Sequence, residues 1–354
     1  PIRGRLLRLA DDQHALLVTQ HHIVSDGWSL GVLVKEVAAL YTAFSQGLPD
    51  PLPPLSIQYA DYAAWQRGPD RAQQFERSLA YWREHLDSAP ALHELPLDRP
   101  RPAEQRFHAR QHVQLLDATQ LHGLSAWARE RNATLFMSLQ SAFAALLSRW
   151  SGQNDIVIGT PVAGRSHAVL EPLIGFFNNT LVCRYKVTAA DDATALLAQG
   201  RSVALDAFAH QGMPFDLLVE TLRPQRSLAY NPLCQIKFVL QNHDSGELSL
   251  PNLLLQAMDP ISEQVRFDLD LTAVESEHGL HLNWTYKDDL FDAVSIERMA
   301  LAYARLLAQM VERPTARLDE LMWVDGVDVQ SLRALGQGPD STLRRDAALP
   351  VQIA

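Results

Sequence analysis

The sequence has little cysteine, no long apolar run and no excess of basic residues. Cys183 and Cys234 are its only cysteines in 354 residues, and their separation matches neither a disulfide framework nor a zinc site. We expect both thiols to be buried as small apolar groups in a reducing, cytoplasmic compartment. No apolar segment has the length that a bilayer-spanning helix requires, so we do not expect a membrane protein.

The charge balance is acidic, with 41 acidic and 31 basic residues and a formal net charge of −10 at pH 7. A nucleic-acid-binding protein normally presents a basic face, so nucleic acid is not an expected partner. What the sequence has in quantity is apolar residues, at 47% of the chain. They are interspersed with charges, which indicates a folded protein with a large core rather than disorder. The chain opens at Pro1 without a Met, and we expect it to be part of a longer one.

The spacing of apolar residues predicts alternating strands and helices. A buried strand over 14–20 precedes a helix that is capped by Asp26 or Ser29 and ends at Gly47. Further helices are predicted over 71–87, 117–131, 135–150, 191–210 and 294–312, with a short one from Pro214, and strands over 109–116, 155–160, 234–242, 267–275 and 280–287. This alternation predicts an α/β fold, with two lobes joined by the proline-rich and charged segment 96–102.

The most informative stretch is 21–29, in which His21 and His22 are followed by Asp26 and Gly27. Neighbouring side chains at a strand end point to opposite faces, so we expect one histidine in a cleft and the other packed inward. We expect Gly27 to allow a tight turn with positive φ, and Asp26 to orient a ring or to hold a cationic side chain. A histidine in a cleft can accept a proton near neutral pH. Taken alone, however, the pair is more typical of a core histidine beside a surface one.

Residues 21–27 resemble the HHxxxDG motif of nonribosomal peptide synthetase condensation domains, which epimerisation domains and chloramphenicol acetyltransferase share. Later segments resemble further condensation-domain motifs in the same order, at Tyr59–Arg67, Ile158–Arg165, Ile174–Thr180, His210–Asp216, Arg226–Leu233 and Asp289–Asp292. The chain lacks the family's first two motifs. It departs from the family pattern at Asn178, which stands where an aliphatic residue is common, at Gly212, which stands where an acidic residue is usual, and at Asp216, which stands where Glu is usual. These departures put details of the substrate pocket in doubt.

The resemblance implies a V-shaped pair of chloramphenicol-acetyltransferase-like lobes with a tunnel between them. It implies that 1–95 is the remainder of the N-terminal lobe, 96–102 the linker, 103–323 the C-terminal lobe and 324–354 a linker toward an adenylation domain. The expected reaction joins a donor thioester to an acceptor amine in the tunnel. Upstream and downstream carrier domains are expected to deliver both substrates on 4'-phosphopantetheine arms, and neither a permanently bound cofactor nor a metal is expected.

The resemblance also implies roles for particular residues. His22 occupies the position of the histidine that faces the tunnel, where it acts as a general base or positions the amine. His21, Asp26 and Gly27 complete the expected catalytic motif, and Asp26 is also expected to form a structural ion pair with Arg165.

Further residues are candidate substrate contacts or candidate metal ligands. Trp28, Asn179 and Asn231 are the candidate contacts, although an Asn before Pro232 is equally a turn residue. His108 and His112 have metal-like spacing, but no Glu accompanies them and they introduce a strand.

Three other functions share part of this pattern. An epimerisation domain would carry a glutamate-centred motif that the sequence lacks, and Trp28-Ser-Leu-Gly31 follows the motif here. A free coenzyme A-dependent acyltransferase would not need the extension beyond Leu321. A non-enzymatic platform that recruits carrier domains tends to lose the motif histidine, which is intact here. Donor, acceptor and stereochemistry stay open.

Overall fold

Two β-sheets of unequal size organise the chain in the computed structural model, which describes residues 1–241, 250–251, 253–255, 264–321, 323 and 330. The smaller sheet pairs β1 (Ile2–Arg8) with β2 (His14–Gln20) in antiparallel fashion. Three helices follow it: α1 (Gly27–Ser45), α2 (Tyr59–Gln66) and α3 (Pro69–His85). Pro69 is the first residue of α3, where its missing N–H costs nothing.

The larger sheet has six strands in the order β3-β8-β7-β6-β4-β5. Their bounds are β3 (Ala109–Asp117), β4 (Asp155–Val162), β5 (Asn179–Lys186), β6 (Ile236–Gln241), β7 (Leu269–Ser276) and β8 (Gly279–Lys287). The sheet is mixed, since β6 runs parallel to β4 and β7 while the other pairs are antiparallel. The predicted α/β class is confirmed, and β5 is a strand that the apolar pattern did not predict.

The remaining helices are α4 (Ala118–Glu130), α5 (Leu135–Ser151), α6 (Ala193–Ala209), α7 (Phe215–Leu222) and α8 (Ala293–Glu312). Helices α4 and α5 begin after side-chain caps: Asp117 accepts from the Gln120 backbone N–H, and Thr134 accepts from that of Met137. Gly152 ends α5 in the left-handed conformation that favours glycine. No helix in the described part of the chain combines the length and apolar character that crossing a membrane would require.

The main core lies between one face of the six-stranded sheet and helices α4, α5 and α8. Strand alternation supplies one side of it, for example with Leu269 and Leu271 of β7, both fully buried. At its centre the rings of Trp284 and Tyr303 meet edge to face, with centroids 5.6 Å apart. Each large apolar side chain buried in this way stabilises the fold by about 1.5–3 kcal/mol. Cys183 and Cys234 are free and buried as expected, and burial raises the pKa of each thiol to about 12.

Helix α3 packs onto this same core, although it precedes the expected linker. Trp82 is 1% exposed, and its indole Nε1 donates a 3.3 Å hydrogen bond to the carbonyl of His210. Leu86 and Leu95 join the same cluster. The segment 96–102 is itself anchored, since the backbone N–H of Asp98 donates to the carbonyl of Leu290. The lobe boundary at 96–102 therefore stays a prediction, and the expected linker 324–354 lies outside the described residues except for residue 330.

A buried histidine makes the stability of this core depend on pH. His93 is 7% exposed, and its Nε2 lies 2.7 Å from the carbonyl of Val157. Burial lowers the pKa of His93 below its ordinary value, against the opposing effects of the Val157 hydrogen bond, Asp268 and Asp155. The fold therefore holds His93 neutral at pH values where the unfolded chain becomes protonated. This contribution to stability is complete above about pH 6.5 and is lost as the pH falls below that value.

We therefore expect the urea midpoint of unfolding to be lower at pH 5.5 than at pH 7.5. The difference between the two pH values should be smaller in a His93→Gln variant. Equilibrium unfolding at the two pH values measures this difference. His122→Gln is the matched control, because His122 lies exposed on α4. If His93→Gln shows the same pH dependence as wild type, another group causes it.

Candidate active site

The histidine motif lies in the short connection between β2 and α1. Strand β2 ends at Gln20, and the backbone N–H of His21 adds one more bond to the small sheet by donating to the carbonyl of Pro1. His21 then caps a 3-10 turn over His22–Val24, because its Nδ1 accepts from the backbone N–H of Ile23. The histidines therefore follow the strand, and strand alternation does not govern them. Both are exposed, so the expectation that one of them packs inward is wrong.

The ring of His22 is oriented from two sides. Its Nδ1 lies 2.5 Å from the backbone carbonyl oxygen of Ser25. A carbonyl oxygen can only accept, so Nδ1 carries a hydrogen and Nε2 is the nitrogen left to interact with another molecule. The ring of Phe176 meets the imidazole at 86°, with centroids 5.1 Å apart. The imidazole is thus held at one nitrogen and presented to solvent at the other.

Asp26 is buried and joins the motif loop to a distant part of the chain. Its Oδ1 accepts from the backbone N–H of Ser29 at 2.8 Å and so caps α1, one of the two predicted caps. Its Oδ2 accepts from the backbone N–H of Phe177 at 2.9 Å. The predicted ion pair is present, with Arg165 Nη2 3.3 Å from Asp26 Oδ1 and side-chain exposures of 2% and 3%. Asp26 therefore holds the motif loop in place through its bonds to α1 and to the distant segment.

Arg165 is held by several acceptors besides Asp26. Its Nη1 donates to the carbonyls of Leu170 and Leu173, the latter at 2.9 Å, and its Nη2 donates to Ser29 Oγ at 2.8 Å. The guanidinium carbon lies 4.1 Å from the centroid of the Phe177 ring. Burial lowers the pKa of Arg165, and the Asp26 carboxylate opposes that effect. A buried arginine of this kind needs such partners because an unpaired charge in an apolar surrounding is costly.

Ser29 is a structural residue of the site that sequence reasoning did not assign to this role. Its hydroxyl donates to the carbonyl of Gly175 at 2.9 Å and accepts from the Gly175 N–H at 3.1 Å. Tyr59 adds a third bond to the same segment, from its hydroxyl to the carbonyl of Phe176 at 2.8 Å. The backbone that presents Phe176 to His22 is therefore pinned at consecutive residues by the motif loop and by α2.

Two glycines make this close approach possible. Gly164 has φ +65°, and a Cβ there would lie 2.0 Å from the carbonyl oxygen of Phe177. A Cβ on Gly175 would lie 2.2 Å from the Tyr59 ring. By contrast, Gly27 is the first residue of α1 and does not have positive φ, so the expectation of a left-handed turn there is wrong. Asp26, with extended backbone, makes the turn into the helix instead.

Two of the three candidate substrate contacts lie near the motif loop or its neighbouring segments. Trp28 is half-buried, and its indole N–H donates to the carbonyl of Glu171 at 3.0 Å. The Nδ2 group of Asn179 donates to the carbonyls of Gln211 and Met213, and its Oδ1 accepts from the N–H of Phe215. This geometry commits the Asn179 amide to holding the 210–216 segment rather than leaving it free for a substrate.

Asn231 lies apart from the histidine loop, on the segment before β6. Its Nδ2 donates to the carbonyl of Arg266 at 2.7 Å, and its Oδ1 accepts from Gln105 at 3.4 Å. These bonds fit the turn-residue alternative, and a substrate contact by Asn231 stays a prediction. Among the described residues, no three His, Cys, Asp or Glu side chains gather in a way that could hold a metal ion.

Comparisons with known proteins find relatives that match most of the chain. A family model described as "Condensation domain" matches residues 1–332. A subunit of the linear gramicidin synthase of Brevibacillus parabrevis is 42% identical over 357 residues, which cover 100% of this chain and 5% of that protein. Malpinin synthetase of Mortierella alpina is 42% identical over 323 residues, which cover 90% of this chain and 4% of that protein. The chain thus spans a small fraction of these curated relatives.

Solved structures show the same fold. The complex of the X-domain and OxyB from teicoplanin biosynthesis matches with a TM-score of 0.84 and 29% identity, over 92% of this chain and 73% of that one. The four-domain nonribosomal peptide synthetase holo-AB3403, solved with AMP and glycine, matches with a TM-score of 0.78 and 26% identity. That match covers 93% of this chain and 26% of the synthetase chain.

Proposed function

The chain belongs to the condensation-domain family, and we propose that it joins a carrier-bound acyl or peptidyl thioester to a carrier-bound amine through an amide bond. Condensation domains form peptide bonds in nonribosomal peptide synthetases, which is an acyltransferase reaction. The observation that carries the proposal is the family match over residues 1–332, together with the oriented and accessible imidazole of His22.

The proposed chemistry uses the free nitrogen of His22. The acceptor nitrogen attacks the donor carbonyl carbon, the carbon–sulfur bond breaks, and the thiolate leaves on the donor arm. An amine must be unprotonated to attack, and it must lose a second proton as the amide forms. His22 Nε2 is the site that accepts such a proton or holds the amine by a hydrogen bond. Holding both tethered reactants in one place supplies a large part of the rate.

The surrounding residues act on this chemistry through the loop. Asp26, Arg165 and Ser29 fix the start of α1 against the 175–177 segment, and Phe176 of that segment contacts the imidazole. The polar atoms of these three side chains bind one another and the backbone rather than the ring of His22. We therefore assign them to positioning and reserve a catalytic role for His22.

The partners follow from the proposed reaction. We propose that carrier domains upstream and downstream present the substrates on 4'-phosphopantetheine arms, and that an adenylation domain accompanies them in one cytoplasmic synthetase. The relatives support this, because the matched chains include a four-domain synthetase and a gramicidin synthase chain far longer than this one.

One assay tests the proposal against its alternatives. The protein is mixed with a donor-loaded and an acceptor-loaded carrier domain, and products are followed by mass spectrometry. An amide product on the acceptor carrier is expected. Epimerisation would instead exchange the α-proton of a single loaded substrate for deuterium without joining two. A free acyltransferase would accept acyl-coenzyme A in place of the donor carrier.

The non-enzymatic platform is the remaining alternative. Its specific support is the X-domain neighbour, which is solved in complex with OxyB. A platform would bind loaded carriers and give no product in the same assay. The intact motif of His21, His22, Asp26 and Gly27 favours the enzyme.

A further inference from the structure

The face of the six-stranded sheet that lies opposite the helices carries polar side chains at its centre. Alternation along β7 sends Leu269 and Leu271 into the core and places the residues between and after them on the other face. The strand register sets five polar residues side by side across β6, β7 and β8: Lys237, Asp270, Thr272, Asn283 and Thr285. We name these five residues the polar sheet face. They sit on inner strands of the sheet rather than at its edges.

An ion pair forms the centre of the polar sheet face. Lys237 Nζ lies 2.5 Å from Asp270 Oδ2, and Thr272 Oγ1 donates to Asp270 Oδ1 at 3.2 Å. The Asp270 side chain is 12% exposed and that of Lys237 is 26% exposed. Burial raises the pKa of Asp270, and Lys237 opposes this effect. The carboxylate is therefore the covered member of the pair, and the ammonium is the member that a ligand can reach.

Lys237 keeps hydrogen-bonding capacity beyond this pair. An ammonium has three N–H donors and no acceptor. In the part of the chain that the structure describes, Asp270 is its one polar partner, and the Phe267 ring lies 5.5 Å from Nζ. Folding does not require such a pair, because apolar side chains of similar volume are often as stabilising as a buried ion pair. A partly covered ammonium with unused donors fits recognition of an oxygen acceptor instead.

The polar sheet face is connected to the histidine loop by a single strand. Lys237 of β6 pairs with Gly159 of β4. Strand β4 ends at Val162, about 10 Å further along at the usual rise per residue. Gly164 and Arg165 follow, and Arg165 is the side chain that binds Asp26. The two regions are therefore linked by a short, hydrogen-bonded stretch of backbone.

We propose that the polar sheet face is a subsite for the side chain of a substrate residue, in which Lys237 recognises a carboxylate or carboxamide oxygen. The inference rests on the proposed function, because the substrate is the aminoacyl or peptidyl group delivered by a carrier domain. Such a side chain could belong to the donor or to the acceptor. The chemistry that recognises it is the same in both cases.

The test measures binding of loaded carriers rather than turnover. Donor and acceptor carrier domains are loaded through stable amide analogues of the thioester, bearing glutamine, glutamate, leucine or lysine. In wild type we expect tighter binding of the glutamine and glutamate forms than of the leucine form. Replacing the pair with Lys237→Met and Asp270→Val should lower this preference about 10- to 100-fold, as expected for a lost hydrogen bond to a charged group. If the donor carrier shows the preference, the recognised side chain belongs to the donor substrate; if the acceptor carrier shows it, the side chain belongs to the acceptor.

Two further variants sharpen the result. Exchanging the pair, Lys237→Asp with Asp270→Lys, keeps an ion pair but makes the reachable group an anion, so the preference should move toward lysine. Neutralising the exposed Arg317–Asp319 pair with Arg317→Met and Asp319→Val is the matched control and should change nothing. Equal binding of all four forms in wild type overturns the subsite. So does a preference that survives in the Lys237→Met, Asp270→Val variant when that variant keeps the wild-type melting temperature. If the binding preference is present but the two-carrier assay gives no amide product, the result counts against the proposed function alone.

Discussion

Replacing His22 with alanine should lower the rate of amide formation by about 10²- to 10⁴-fold, the range for a side chain that acts as a general base. The reason is the geometry of the ring, in which Nδ1 faces the carbonyl of Ser25 and leaves Nε2 for the substrate. The measurement is single-turnover product formation with saturating loaded carriers, so that altered carrier binding does not enter the rate. A loss of only a few-fold would show that tethering of the two reactants, rather than His22, supplies most of the acceleration.

Two further variants separate the roles that His22 could have. Glutamine at position 22 can accept a hydrogen bond but cannot take up a proton near neutral pH. Activity that survives in His22→Gln and not in His22→Ala therefore identifies positioning of the amine. His21→Ala is the neighbouring control, because the His21 ring caps the 3-10 turn and is not held against Phe176. Its effect should be well below that of His22→Ala.

The fold was predictable where local chemistry decides it. Asp117 and Thr134 are helix caps with a clear signature, and α4 and α5 begin immediately after them. Helix α2 was not predicted, since it has only eight residues and starts after Gln58, which is not a common cap. Strand β5 was missed for another reason. Its place in the sheet depends on pairing with β4, which no local pattern encodes.

The site was predictable only in part. The histidine motif and the Asp26–Arg165 pair could be proposed from the sequence because residues 21–27 and several later segments resemble condensation-domain motifs, whereas the histidine pair alone left a structural role open. The Ser29–Gly175 contact could not, because a serine hydroxyl bound to backbone 146 residues away has no sequence signature. The direction of the histidines was predicted wrongly because side chains alternate between faces only within a strand, and β2 ends at Gln20, before both histidines. Lys237 and Asp270 gave no signal until the strand register placed them opposite each other.

Replacing Asp26 with alanine should destabilise the fold by about 3–5 kcal/mol, the cost of breaking a buried ion pair on one side. Arg165 would keep its charge at 2% side-chain exposure without its carboxylate partner. The cap of α1 and the bond to the Phe177 N–H would be lost as well. Urea unfolding and soluble yield measure the effect. Removing the exposed Arg317–Asp319 pair is the control, and we expect it to leave the stability almost unchanged because solvent screens an exposed ion pair.

The comparison of stability with turnover then decides what Asp26 does. Because its oxygens bind Ser29, Arg165 and Phe177 rather than the imidazole, we expect the Asp26→Ala protein to lose stability at least as much as turnover. Asp26→Asn should be intermediate, since an amide oxygen can still cap α1 but carries no charge for Arg165. Turnover is measured well below the melting temperature of each variant, so that only folded protein contributes. An Asp26→Ala protein with the wild-type melting temperature and no turnover would contradict the structural assignment and make Asp26 a direct partner of His22.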